Sequence, residues 1–87
     1  MATVTRSVVV TDPVGIHARP ASLFAQAVAS SGCAVTIAKQ GGTPVPATIL
    51  SVMGLGIKQN DTVTLTVDGD DADTVADSLA EILVKAE

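Results

Sequence analysis

The chain opens on alternating Val and Thr. Thr3 to Thr11 has the composition of a β-strand, but Arg6 breaks the alternation, so the pattern leaves open which side faces the core. Asp12, Pro13 and Gly15 then punctuate the chain, and from Ala18 to about Ser30 the apolar positions Ala21, Phe24, Ala25 and Val28 recur at helical spacing. Gly32 supplies the stop for that helix. Beyond it Cys33, Val35 and Ile37 alternate with Ala34, Thr36 and Ala38 as a second strand, which runs into a Gly41-Gly42 turn. Thr43 to Val45 has room for a third strand. Pro44 and Pro46 each lack a backbone donor, which predicts that this strand is short and lies at a sheet edge.

Thr48 to Met53 has the length of a short helix, with Thr48 as its N-cap and Gly54 and Gly56 behind it. The cleanest strand follows, Val63, Leu65 and Val67 on one face and Thr62, Thr64 and Thr66 on a wet one. A last helix runs from about Ala72 to Lys85, its stripe formed by Val75, Ala76, Leu79, Ile82, Leu83 and Ala86. Asp70, Asp71 and Asp73 at its start and Lys85 near its end suit the helix dipole. The order is strand-helix-strand-strand-short helix-strand-helix. Strands with one polar face and two main helices with one apolar stripe predict an α+β fold, an open-faced β-sandwich in which a four-stranded antiparallel sheet carries its helices on one face.

Composition narrows this picture. A chain of 87 residues has room for a single domain, 1–87, with one modest core. Of its residues 47% are hydrophobic but only 1% aromatic, so that core is built of Val, Ile, Leu and Ala. The net charge of −4, drawn largely from Asp68, Asp70, Asp71, Asp73, Asp77 and Glu81, repels phosphate backbones and anionic lipid headgroups and argues against nucleic acid as a partner. Cys33 is the single cysteine, which excludes an internal disulfide and, beside one His, leaves no zinc site; it reads as a small core residue. The run from Asp68 to Asp73 lacks a complete calcium-loop spacing, so no metal is assigned. The start of the chain lacks the basic and apolar regions of a signal peptide, and no segment reaches the roughly 20 apolar residues of a membrane span. A cytoplasmic protein without direct membrane insertion is expected.

The chemistry lies in Gly15-Ile16-His17-Ala18-Arg19-Pro20-Ala21, where a loop turns into the first helix. With His17 as N-cap, Ala18 is the first helical residue and Pro20 still falls in the first turn, where a missing N–H costs nothing. The N–H groups of that turn, with the positive end of the dipole, form an anion site beside the His17 imidazole, in which the backbone of Ala18 and Arg19 can hold a phosphoryl group. The Arg19 guanidinium matches phosphate oxygens. Imidazole is both nucleophile and leaving group near neutral pH, and the same dipole disfavours imidazolium and keeps a ring nitrogen free to attack. An isolated His-Arg pair is more often a solvated surface pair; the complete heptapeptide at a loop-to-helix junction is far more specific.

This heptapeptide resembles the signature of the HPr family of phosphocarriers, Gly-[aliphatic]-His-x-Arg-Pro-[small]. The likeness extends over nearly the whole chain, including the block Ala47-Thr48-Ile49-Leu50-Ser51-Val52-Met53-Gly54-Leu55-Gly56, which is similar to that family's regulatory-site segment. The resemblance implies that His17 takes a phosphoryl group on its δ nitrogen from the phosphohistidine of enzyme I and hands it to the A domain of a sugar-specific enzyme II, with Arg19 stabilising the group. It implies a covalent shuttle rather than an independent enzyme, needing no cofactor, with catalysis residing in the partners. It also places Ile49, Leu50 and Met53 beside the His17 loop, where with Leu23 they form an apolar docking face, while Val52 and Leu55 are expected in the core. Serving two partners in turn through one face favours a monomer. At Thr48 many relatives from low-GC Gram-positive bacteria carry a serine that a dedicated kinase phosphorylates. Ala47 and Ser51 depart from the usual flanks of that serine, so N-capping is the first expectation for Thr48 and regulatory phosphorylation the second.

Two other readings use the same residues. One is a paralogue serving nitrogen regulation or a dihydroxyacetone-kinase relay with the same His17 chemistry; the other is a small regulatory module in which His17 and Arg19 only bind an anion. A hydrolytic enzyme ranks below both, since no base is paired with a nucleophile.

Overall fold

The computed structural model describes residues 2–11 and 18–85, with the backbone alone at 18–20 and at 85. Its elements in chain order are β1 (Ala2–Val9), α1 (Ala18–Ser31), β2 (Ala34–Lys39), β3 (Val45–Pro46), α2 (Ile49–Gly54), β4 (Thr62–Gly69) and α3 (Ala72–Lys85). The order expected from the sequence is the one observed. The strands form a four-stranded sheet in the order β1-β4-β2-β3, every neighbouring pair antiparallel.

Register explains what alternation left open. Val4, Arg6 and Val8 of β1 stand opposite Val67, Leu65 and Val63 of β4, and Val35 and Ile37 of β2 stand opposite Val67 and Leu65 on the other side. These positions share the face covered by the helices, because side chains of paired strands project in phase. Thr3, Thr5 and Ser7 lie on the opposite, open face with Thr66 and Thr64. The threonines of β4 are half-buried rather than fully wet, since β4 is the central strand and has neighbours on both sides.

Arg6 therefore points to the helix side of an edge strand. Its Nη2 donates to Asp73 Oδ1 at 2.9 Å and its Nε to Asp77 Oδ1 at 3.1 Å, two carboxylates one turn apart on α3. Pairs this exposed contribute little to stability. The inward-pointing charge has another consequence, since it blunts the free edge of β1 against pairing with a further strand.

The core is aliphatic around one ring. Phe24, Ile37, Leu65, Leu79 and Leu83 are its largest fully buried side chains, joined by Val10, Val52, Val63 and Val67. At the far edge, β3 is only Val45–Pro46 and pairs with Thr36 and Ile37, so Thr43 and Pro44 lie outside it. Cys33 precedes β2 instead of opening it and is half-buried, its thiol donating to the Asp70 carbonyl at 3.3 Å. That packing requires a glycine at 69: its φ is +150°, and an added Cβ would stand 2.9 Å from Cys33 Sγ. Gly32, at φ +72°, turns the chain out of α1 as expected.

The turn before β4 closes on the end of β1. Lys58 N donates to Asp61 Oδ2 at 2.8 Å, and Lys39 Nζ lies 3.2 Å from the same oxygen. Asn60, at φ +73°, donates its N–H to the Val10 carbonyl at 2.7 Å, and Val10 N donates to Asp61 O at 3.0 Å. Asparagine is among the few residues that tolerate this left-handed conformation. The Lys58 amide, aided by Lys39 and opposed by partial desolvation, holds the Asp61 carboxyl below its ordinary value of 3.8.

Two outcomes follow from this architecture. Leu79→Ala, which empties a fully buried site on α3, is expected to lower unfolding free energy by about 3 kcal/mol in urea denaturation, whereas Ser78→Ala on the exposed side of the same helix changes it by less than about 0.5 kcal/mol. Asp61 has a depressed carboxyl, so its contribution is complete above pH 3.8 and is lost as pH falls through the lower folded value. Denaturation curves of the parent protein and Asp61→Asn, collected from pH 7 downward, are expected to keep a constant separation to near pH 4 and to converge below it.

Candidate functional site

Helix α1 begins at Ala18, directly after His17 in the chain. The first four N–H groups of any α-helix lack intrahelical acceptors, so the backbone at Ala18 and Arg19 belongs to a donor-rich, positive helix end. His17 itself, the remainder of the 12–17 segment and the side chain of Arg19 lie outside the described residues. The same holds for the Lys85 side chain and for Ala86.

What surrounds that segment is well defined on both sides. On the entering side, Thr11 is held twice: Gln59 Nε2 donates to its carbonyl at 3.3 Å, and its own hydroxyl donates to the Val84 carbonyl in the last turn of α3 at 3.0 Å. On the leaving side, Ala21 and Phe24 are fully buried and fix α1 against the core. The chain between Thr11 and Ala18 thus starts and ends on anchored backbone. Sequence reasoning named neither Thr11 nor Gln59 as a positioning residue. Its available signal was the polar run Lys58-Gln59-Asn60-Asp61 between two apolar stretches, which marks a turn but not the strand end against which it closes.

The expected apolar face is on the surface. Leu50 is 84% exposed, Leu23 49%, Met53 44% and Ile49 41%, while Val52 is fully buried and Leu55 half-buried. Leu23 belongs to α1 and the other three exposed residues to α2, and these two helices pack against each other. An α-helix of six residues cannot bury all its apolar side chains on one neighbour. Here it spends Val52 on the core and leaves three in water. Thr48 caps α2: its backbone is extended, at φ −100° and ψ 163°, and its hydroxyl accepts from Ser51 N at 3.3 Å.

Among the described residues no cluster of three or more His, Cys, Asp or Glu side chains is arranged to hold a metal ion, and no helix is long and apolar enough to cross a membrane. The acidic side chains around the start of α3 instead engage Arg6, through Asp73 and Asp77, and Thr3, whose hydroxyl donates to Asp68 Oδ1 at 3.2 Å.

Comparison with known proteins places this arrangement. Residues 4–85 match the family model described as the PTS HPr component phosphorylation site. A phosphocarrier protein HPr of Streptomyces coelicolor is 40% identical over 72 residues, covering 82% of this chain and 77% of its own. One from Lysinibacillus sphaericus is 37% identical over 81 residues, covering 93% and 92%. The crystal structure of an HPr from Bacillus anthracis superimposes with a TM-score of 0.86 at 33% identity, over 95% of this chain and 99% of that one. A match that runs through every strand and helix, on a fold shared with a solved relative, decides the matter: the chain belongs to the HPr family of phosphocarrier proteins.

Proposed function

We propose that His17 accepts a phosphoryl group from phosphorylated enzyme I and passes it to the A domain of a sugar-specific enzyme II during sugar uptake. The observation that carries this reading is the heptapeptide Gly15 to Ala21, whose fourth residue, Ala18, is the first residue of α1 in a chain matching the family over 4–85. In the forward step the unprotonated δ nitrogen of His17 attacks phosphorus. A new N–P bond forms as the N–P bond of the donor phosphohistidine breaks, and the donor imidazole leaves with the bonding pair. The other ring nitrogen of His17 keeps its proton throughout. Transfer to the acceptor repeats the exchange with His17 as the leaving group, so neither step needs a cofactor.

The roles of the neighbours follow from charge. The phosphoryl oxygens carry the negative charge that the N–H groups of Ala18 and Arg19 and the guanidinium of Arg19 are suited to receive. The dipole of α1 opposes imidazolium in the free protein and favours the dianionic group once it has arrived. Leu23, Ile49, Leu50 and Met53 support this reading as a docking face, because a shuttle needs its partners' catalytic groups brought to His17 rather than a pocket of its own. A cytoplasmic monomer that meets its partners one at a time fits the same logic. Thr48 acts as the cap of α2, the first of the two roles expected for it, with regulatory phosphorylation the second.

Incubation with phosphoenolpyruvate and catalytic enzyme I from the same organism is expected to add one phosphoryl group by intact mass. The adduct is expected to be lost in acid and to be absent from His17→Ala. No adduct, in the presence of autophosphorylated enzyme I, removes the protein from the sugar pathway. For the docking face, Leu50→Asp is expected to slow transfer with both partners about tenfold or more while leaving the thermal midpoint nearly unchanged, since Leu50 is already in water. Transfer rates equal to the parent's with both partners overturn that assignment.

A further inference from the structure

Residues 56–61, which carry the chain from the end of α2 to the start of β4, hold two separate parts of the molecule at once. On one side they fix the chain that leads to His17. Asn60 N donates to Val10 O at 2.7 Å, Val10 N donates to Asp61 O at 3.0 Å, and Gln59 Nε2 donates to Thr11 O at 3.3 Å. On the other side they fix the end of α2. Gly56 N donates to Met53 O at 3.3 Å, and the Gly56 carbonyl accepts from Lys39 Nζ at 3.4 Å, while the same ammonium lies 3.2 Å from Asp61 Oδ2. The turn is also closed on itself, since Asp61 N donates to Lys58 O at 3.0 Å and Lys58 N to Asp61 Oδ2 at 2.8 Å, and the buried Ile57 seats it in the core.

The core does not call for all of these bonds. Val10 is fully buried and both its backbone groups are bonded to the turn, which completes the strand end; Thr11 beyond it is exposed, yet it is held by two further side-chain bonds, from Gln59 and to the Val84 carbonyl. Lys39 is already paired with Val63 through the sheet, and its side chain reaches on to join Gly56 with Asp61. Hydrogen bonds from an ammonium are of the stronger, charge-assisted kind. Such placement matters to a phosphoryl exchange, in which attacking and leaving atoms must stand roughly in line and a misplacement of about 1 Å can cost about a hundredfold in rate. A carrier that docks through one element and reacts on another needs the spacing between the two held constant. We propose, on the reading of His17 as the phosphoryl acceptor and of α2 as part of its docking face, that the 56–61 turn is a brace that sets the position of His17 relative to α2, with Gln59 and Lys39 as its positioning residues. Gln59 acts through the Thr11 carbonyl, and Lys39 through the Gly56 carbonyl and the Asp61 carboxylate.

The test is steady-state phosphorylation of the whole chain by enzyme I from the same organism, with the concentration of this protein varied so that kcat and KM separate. Gln59→Met keeps the side-chain length and loses the donor; it is expected to lower kcat at least about threefold with KM within about twofold of the wild type. Lys39→Met is the decisive variant, because it lies on the α2 side of the turn. A brace predicts the same loss in kcat, whereas a contact that serves α2 alone raises KM and leaves kcat as it was. Lys39→Arg, which retains the charge and the donors, is expected to keep kcat within about twofold of the wild type. Leu79→Ala, which weakens the core from the middle of α3, is expected to keep the wild-type kcat below its thermal midpoint, since a loss of stability alone leaves the spacing intact. A wild-type kcat in Gln59→Met or Lys39→Met overturns the brace, as does a loss in Lys39→Arg or Leu79→Ala equal to that in Lys39→Met; a phosphoryl adduct on the wild type, absent from His17→Ala, leaves the phosphocarrier reading standing in each of these cases. No adduct on the wild type overturns that reading, and the brace with it.

Discussion

The structure hangs on β4. Among the described residues it is the only strand with a hydrogen-bonded neighbour on each edge along most of its length, and Val63, Leu65 and Val67 on its helix side are fully inaccessible to water. Because side-chain direction alternates strictly, a one-residue slip of β4 would put three threonines into the core and three aliphatics onto the open face. Its register dictates that of β1 and β2, and those rows together make the surface onto which Phe24, Leu79 and Leu83 close from α1 and α3. A core with a single ring has little freedom to compensate. Aliphatic packing at native density depends on each branched side chain meeting its neighbours, so the sheet's alignment is enforced by many small contacts instead of one large anchor.

The sheet also sorts the surface. By sending α3 back across β1 and β4 and seating α2 beside β3, the topology gives one flank the acidic side chains and the other almost none. The proposed anion site on a protein of net charge −4 works only if its local donors outweigh the acids elsewhere in the chain. At physiological salt the Debye length is about 8 Å, so acids well beyond that distance would count for little against the backbone N–H groups and the guanidinium proposed to contact the phosphoryl group. The arrangement of charge matters more than its sum.

Period and punctuation made most of the fold legible. The stripes of α1 and α3, the clean alternation of β4 and the two prolines that cut β3 short each translate directly into an element, and Thr48 was recognisable as a cap from its place before a short apolar run. Arg6 was not readable in this way. Its side depends on which strand pairs with β1 and on two aspartates some seventy residues distant, information that no local window holds. The hold of Gln59 and Val84 on Thr11 was hidden for the same reason, being a contact between three separate elements. The candidate site was legible as a motif, because the chemistry proposed for His17 needs a particular order of residues; the anchoring of its flanks was not, because that needs only a polar side chain within reach.

A carrier also has to let go. Burying a fully exposed aliphatic side chain contributes about 1.5–3 kcal/mol, and association itself costs about 4–15 kcal/mol in lost freedom. On the proposed docking face Leu50 is mostly exposed but Leu23, Met53 and Ile49 are already about half-buried, so the four offer a gross gain of only about 3–7 kcal/mol, at the low end of that cost, and such a face favours brief contact and exchange of partners. A deeper pocket or a ring of buried ion pairs would lengthen the contact and slow turnover from one partner to the next. The small size of α2 suits that proposal. Six residues bury one side chain, Val52, to hold the helix in place and leave Ile49, Leu50 and Met53 on the surface, a small apolar area for the proposed docking face.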